Sequence, residues 1–419
     1  MPAMADSVDA PPTVTIQDIA AARRRIQQDP EWVSPCPESK SLSRLCGCTV
    51  FVKLENLQTT GSFKDRGALN RLVTLSPTER QAGVIAASAG NHAQAVAYHA
   101  GLQGIPARIV MPMGTPLTKV SATRGYGGDV VLHGANYDDA LEHARALGKA
   151  EGRTFVHGFD DPFVIAGQGT IGLELLEQTP RMQTVVVPIG GGGLISGIAV
   201  ALKETNPKIR VVGVQTKALP SMKQSLGGGA PETLPAAMTI ADGIAIKRPG
   251  ALPFALVQRY VDEIVTVDDE EIAAAILLLL EREKTLAEGA GAAALAALYY
   301  RKIAVEGQRV VLIVSGGNID MTTLDRIIER GLVQDGRLAQ FSIRIQDSPG
   351  SLARLTALLG ELRANILQIN HSRAFRHVTL GETEVEVSLE TRGREHVREL
   401  VRALEAQRYR VLVIAPREP

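Results

Sequence analysis

Short, nearly unbroken apolar runs recur along the first three quarters of this chain, at residues 48–55, 83–87, 107–111, 129–132, 154–156, 184–188, 210–214 and 309–314. Stretches with helical spacing lie between them: one opens at Asp65-Arg66 and carries Ala68, Leu69, Leu72 and Val73, and others span 93–100, 137–148, 171–177 and 194–204. Continuous apolar strands alternating with helices predict an α/β fold, with parallel sheet covered on both faces. In such sheets ligands bind off the carboxyl ends of the strands. Small-residue turns follow three of these strands, at Ser88, Gly190 and Ser315. Ahead of the strands, Thr15 with Asp18 three residues on predicts a helix N-terminus. Residues 1–14 are polar and are expected to be a disordered tail.

From about Ala339 the rhythm changes. Residues 341–345 alternate, Asp347 to Leu352 opens a helix running to about 363, and 365–369 is a strand. Residues 382–390 alternate again, 394–407 are helical and 409–414 close the chain. That βαββαβ order predicts a ferredoxin-like module over residues 339–419, entered through a linker at Asp335-Gly336.

Composition narrows the function classes. The 419 residues allow two or three domains. Lys plus Arg and Asp plus Glu number 45 each, so no net field recruits nucleic acid or an anionic membrane. Cys36, Cys46 and Cys48 are odd in number and lack CxxC spacing, which predicts free thiols in a reducing cytoplasm. The N-terminus shows no basic-then-apolar signal pattern. The most apolar run, 273–280, is far short of the ~20 residues that cross a bilayer, and is expected to be a core helix.

The candidate chemistry centres on Thr59-Thr60-Gly61-Ser62-Phe63-Lys64-Asp65-Arg66-Gly67-Ala68. A lysine at a partly buried helix start finds an anion or loses its charge, and a lysine with a lowered pKa forms a Schiff base with an aldehyde. A solvated helix-start lysine is the plain alternative. Gly190, Gly191, Gly192 and Gly193 lie between a strand and a helix, where backbone N–H groups and the helix end can hold a phosphate. The alternative is a tight turn. No Gly-Lys-Ser/Thr follows, and the dinucleotide fingerprint is absent, so a single phosphate is the expected guest. Ser88-Ala89-Gly90-Asn91-His92 offers N–H groups to a carboxylate, and the Asn91 amide suits a phenolic oxygen. Ser315-Gly316-Gly317-Asn318 offers a hydroxyl to a ring nitrogen.

Taken together, Ser62 to Ala68, Ser88 to Gln94, Gly190 to Leu194 and Ser315 to Asn318 resemble the fold-type II pyridoxal-phosphate enzymes, nearest the threonine ammonia-lyase and serine racemase group. The resemblance covers residues 15–335. It implies a tryptophan synthase β-like catalytic domain, in which a small subdomain of about 56–153 is inserted in the large one, each with an open parallel sheet. The tail resembles an ACT domain, with its turn at Asp347-Ser348-Pro349-Gly350-Ser351-Leu352. The resemblance implies that Lys64 holds the aldehyde of pyridoxal 5'-phosphate and, once displaced, takes the Cα proton. It implies Phe63 against the ring, Asn91 at the ring hydroxyl, and Gly190, Gly191, Gly192, Gly193 and Leu194 on the phosphate. Ser315 then faces the ring nitrogen, Gly243 and Glu288 lie near the cofactor, and Ser88, Ala89, Gly90, Asn91 and His92 hold the substrate carboxylate.

The activity implied is dehydration and deamination of L-threonine to 2-oxobutanoate and of L-serine to pyruvate. Two departures bear on that. Ala89 stands where serine racemase has a second serine, so little racemisation is expected. Gln215-Thr216-Lys217-Ala218, with Ser221 beyond, replaces an acidic cluster and makes a poor Mg²⁺ site, so no metal is assigned. The ACT module implies an amino-acid effector, isoleucine or valine, at the Asp347 turn with Asn365 across a subunit interface, in a homodimer or homotetramer. An L-serine dehydratase, a hydroxyaspartate lyase, a non-catalytic amino-acid sensor and a dinucleotide-dependent oxidoreductase remain as rivals.

Overall fold

The computed structural model describes residues 13–27, 32–372 and 380–414. Residues 1–12 of the expected tail lie outside them, but Val14 is buried beside Ile19 and Ala22. The predicted N-terminus is a capping box: Thr15 and Asp18 bond each other's backbone N–H at the start of the helix Ile16–Ile26. The chain divides into two compact units, Met1–Ile319 and Asp320–Pro419.

In the first unit the strands are β1 (Glu38–Ser39), β2 (Thr49–Leu54), β3 (Val84–Ala87), β4 (Ala107–Met111), β5 (Asp129–Leu132), β6 (Thr154–Phe155), β7 (Thr184–Pro188), β8 (Arg210–Thr216), β9 (Glu263–Val267) and β10 (Arg309–Val314). Six of them form one sheet in the order β1-β2-β10-β7-β8-β9, and four form another in the order β5-β4-β3-β6. All pairings are parallel except β1 with β2. Both sheets are inlaid with Val, Ile and Ala at almost every inward position, as strands covered on two faces require.

The helix expected at 171–177 runs instead over Pro162–Gln178. Its start was marked by local chemistry, with Asp161 capping Phe163 and Val164 at 2.8 and 3.0 Å and Pro162 in the first turn. Its first half shows no polar face because residues 164–172 are all buried. Glycine allows this crowding. A Cβ on Gly167 would stand 2.7 Å from the Gly67 Cα, and one on Gly67 would stand 2.8 Å from the Val164 carbonyl. The helix Lys64–Val73 is thus seated directly on this neighbour.

The apolar run at 273–280 is helical, over Asp269–Leu278 and a π-helical turn Leu279–Glu283. Helices Ala251–Tyr260 and Gly289–Tyr299 and strand β9 were not anticipated. Gly289–Tyr299 is buried over its first ten residues, Gly289 to Leu298, so it carries no amphipathic period to detect.

The second unit opens with the helix Met321–Gln334, another element the pattern did not announce. It then follows the predicted order: β11 (Leu338–Gln346), helix Ser351–Glu361, β12 (Asn365–Ser372), β13 (Glu382–Glu390), helix Arg394–Ala406 and β14 (Arg410–Ile414). The sheet is antiparallel, β12-β13-β11-β14. Its buried face joins Phe341, Ile343, Val385, Val387 and Leu389 to Leu355, Leu359, Leu400 and Leu404 of the helices. Among the described residues no helix is long and apolar enough to cross a membrane.

Candidate active site

Strands β2 and β10 are parallel neighbours, so their carboxyl ends release two turns side by side. Backbone contacts stitch these turns together. Phe63 donates to the Ser315 carbonyl at 3.0 Å, Gly317 donates to Gly61 at 2.9 Å, and Ser62 bridges Gly316. Lys64 emerges there as the first residue of its helix. Behind it Asp65 is wholly buried, accepts Thr60 N–H at 2.9 Å and lies 3.3 Å from His99 Nε2.

Lys64 is half-buried, with Nζ 2.6 Å from the Gly158 carbonyl and 5.0 Å from the centre of the Phe63 ring. Burial pulls its ammonium down to about 8, although the Glu288 carboxylate works the other way. A cavity of about 770 Å³ opens at this amine. Phe63, Ser88, Ala89, Gly90, Asn91, His92, Gly190, Gly191, Gly192, Gly193, Leu194, Gly243, Glu288 and Ser315 all line it. The structure therefore brings the separate turns of both sheets to one place.

The glycine turn is explained partly by packing. A Cβ on Gly191 would lie 2.3 Å from the Phe159 ring, and one on Gly193 would lie 2.8 Å from the Phe159 carbonyl. Gly192 has φ +100°, a conformation other residues rarely take. No side chain caps the helix Gly193–Thr205 that follows, so its first N–H groups are left to other acceptors. Gly191→Ala is expected to destabilise the protein by about 1–3 kcal/mol through overpacking against Phe159, with weaker retention of a bound anion. Thermal melts with and without phosphate would show both.

Glu288 caps the far side. Its Oε1 accepts Asn91 Nδ2 at 2.7 Å, and glycines at 243 and 316 leave room for the carboxylate. Burial, then the charge of Asp242, pushes its carboxyl up to about 7. The sign follows directly: an unfolded chain ionises Glu288 near the ordinary value, whereas the fold resists ionisation until about pH 7. Stability linked to this group is present below about 4.5 and is lost as pH rises towards 7. The apoprotein of Glu288→Gln should therefore gain on the parent between pH 5 and 8, by on the order of 2–3 kcal/mol. Urea titrations at the two pH values measure it.

Some lining residues were not anticipated. His157, Gly158, Phe159 and Asp160 follow β6 at its carboxyl end, where the rule that found the other three turns applies equally. Lys119, Tyr137, Asp138, Arg145, Asp242 and Lys247 also face the cavity, with Lys119 bonded to Asp242 at 2.9 Å and Lys247 paired with Asp138. Asp347 and Asn365 belong to the second unit. Register puts Asn365 beside Glu390, whose other neighbour is Leu338, while Asp347 follows Gln346, which faces Glu382. The nine residues from Leu338 to Asp347 at ~3.3 Å each put the two roughly 30 Å apart, so one copy of the module does not unite them.

Comparison with known proteins agrees with this geometry. A family described as pyridoxal-phosphate dependent enzyme matches residues 28–316, and the ACT domain family matches residues 339–406. The L-threonine ammonia-lyase of Thermotoga maritima is 48% identical over 96% of this chain and 100% of its own length. The processed form of threonine deaminase isoform 2 from Solanum lycopersicum superimposes with a TM-score of 0.71 at 37% identity, over 76% of this chain and 95% of that one. Maize serine racemase gives 0.71 at 36% identity, over 77% and 99%.

Proposed function

This chain belongs to the pyridoxal-phosphate dependent enzyme family and carries an ACT domain after the catalytic one, and from that membership we propose that it converts L-threonine to 2-oxobutanoate and ammonia. The observation that carries the reading is the Lys64 amine, drawn down to about 8 by burial at the floor of a cavity whose other wall is the uncapped glycine turn. The choice of threonine follows the Thermotoga maritima relative, whose match runs over 96% of this chain and so takes in both units.

The residues present fit pyridoxal phosphate. The free N–H groups after Gly192 suit its phosphate. Asn91 Oδ1 is buried without a partner and suits the ring hydroxyl as an acceptor. Ser315 suits the ring nitrogen, and the Phe63 ring beside Lys64 suits a planar neighbour. When bound, the cofactor supplies an aldehyde that takes up amines and a ring that spreads the electron pair left at Cα.

The chain's own groups do the rest. Lys64 holds the aldehyde at rest and, once displaced by the substrate amine, takes the Cα proton at Nζ; a pKa near 8 leaves part of it neutral for that task. The turn Ser88 to His92 holds the carboxylate chiefly through the N–H groups of Ala89, Asn91 and His92, since Ser88 N–H is given to the Val110 carbonyl at 3.1 Å and Gly90 N–H to Ser88 Oγ at 3.2 Å. The Ser315 hydroxyl would not force a proton onto the ring nitrogen, which would favour prompt loss of the β-hydroxyl, and the proton Lys64 takes from Cα would leave with it as water. Ala89 offers no acid on the opposite face, so elimination dominates over inversion.

Serine is a second substrate in this reading, isoleucine or valine changes the rate through the ACT module, and the enzyme works as a homodimer or homotetramer in the cytoplasm. Keto-acid release from threonine, serine and 3-hydroxyaspartate, each with and without isoleucine or valine, tests it. Threonine should be turned over fastest, with either branched amino acid shifting its curve. Absence of 2-oxobutanoate would end the proposal.

A further inference from the structure

Hydrogen bonds that the reaction has not yet used converge on residues 156–160, the segment leaving β6. His92 turns Nε2 towards the Val156 carbonyl at 2.9 Å, so that nitrogen must donate. His157 does the reverse. Its Nδ1 accepts the backbone N–H groups of Phe159 and Asp160 at 3.3 and 2.9 Å and so carries no proton. Asp160 then accepts Ala251 and Leu252 N–H, each at 3.1 Å, at the start of the helix Ala251–Tyr260. Between these anchors, the Gly158 carbonyl receives Lys64 Nζ. Gly158 is hemmed in as well, since a Cβ there would lie 3.4 Å from His92 Cδ2 and 3.8 Å from Nζ. Burial holds His92 near 3 and His157 near 4, so protonation does not break either arrangement at neutral pH.

We propose that His92 and His157 are positioning residues that fix the Gly158 carbonyl as a dock, receiving the Lys64 amine whenever substrate displaces it. The inference rests on the reading of Lys64 as the reactive amine and adds where that amine waits. A lysine stem has several free torsions, and without a fixed acceptor the amine would sample many positions away from the substrate. With the dock, it stays beside Phe63 on the cavity wall. His92 belongs also to the turn proposed to hold the carboxylate, so the same imidazole ties that turn to the segment holding the amine.

The test uses holoenzyme and L-alanine, which has no β-hydroxyl to lose. Alanine displaces Lys64, and rapid dilution lets the lysine return, followed by the visible absorbance of the cofactor. His92→Gln keeps a donor for Val156, and His157→Asn keeps an acceptor for the two N–H groups; His92→Leu and His157→Leu keep neither. The leucine variants should slow the return about tenfold, while the amide variants stay within about threefold of the parent. Leucine variants that return at the parental rate, or amide variants as slow as their leucine counterparts, would overturn the proposal. The two positions are read separately, so a leucine variant that does not fold leaves the other pair to decide. A parent in which borohydride fixes no cofactor on Lys64 overturns the functional reading, and the dock with it.

Discussion

Lys64→Ala is expected to lower keto-acid release by on the order of 10⁴-fold or more, with the fold retained. One atom serves two roles in the proposed reaction, and among the described residues no second lysine lines the cavity with an unpaired amine. Lys119 and Lys247 also line it, but both are held in ion pairs, with Asp242 and Asp138. The structural cost is small. Lys64 Nζ has one protein acceptor, Gly158, whose carbonyl can take water from the cavity instead. Lys64→Arg separates charge from chemistry: it restores a cation but one that is always protonated and forms no stable bond to the aldehyde. It should be as inactive as the alanine chain. Full progress curves at high enzyme concentration, beside the urea midpoints of all three proteins, give both halves of the result.

The second large effect lies two residues further along. Arg66 is wholly buried, donating to Glu55 through Nε and Nη2 at 2.8 Å each and pairing with Glu174 through Nη1. Lys53 pairs with the other side of Glu174 and also donates to the Ser34 carbonyl at 2.7 Å. Two cations and two carboxylates thus balance in a dry place where the helices Lys64–Val73 and Pro162–Gln178 meet the end of β2. Burial opposes the Glu55 charge, but Arg66 more than offsets it and holds the carboxyl below the usual range. Its share of stability is therefore present above that range and lost as pH falls through the lowered value.

Arg66→Met or Glu174→Gln would strand a charge. Either should cost about 3–5 kcal/mol, a large part of a typical 5–15 kcal/mol total. Since Lys64 shares the helix, loss of activity should accompany the loss of stability. A double-mutant cycle with Glu55→Gln should recover part of the penalty of Arg66→Met, because it removes the carboxylate that substitution leaves unpaired. Strict additivity would contradict the picture of one balanced cluster.

Much of this was legible in the chain. Strands β4, β5, β7, β10 and β13 begin and end where their apolar or alternating runs do, because sheet edges and hydrophobic pattern are set by the same burial. The ferredoxin-like order was readable for the same reason, with one face of each strand wet. The first half of helix 162–178 and the whole of helix 289–299 were not, since stretches buried all round lose their period. For the site, all three turns singled out in the sequence, at Ser88, Gly190 and Ser315, fell on the cavity. The 157–160 turn escaped because β6 is only two residues long and the turn holds large side chains. The buried quartet escaped for a different reason. Lys53 and Glu55 flank Leu54 in sequence, yet their partners lie more than a hundred residues away at Glu174 or across the turn at Arg66, and charge alone does not say which of many cations is dry.

The most direct measurement is borohydride reduction of the coloured holoenzyme followed by peptide mapping. A pyridoxyl group on Lys64, and bleaching in step with loss of turnover, is the result expected. A colourless protein, or a label on any other lysine, would contradict it.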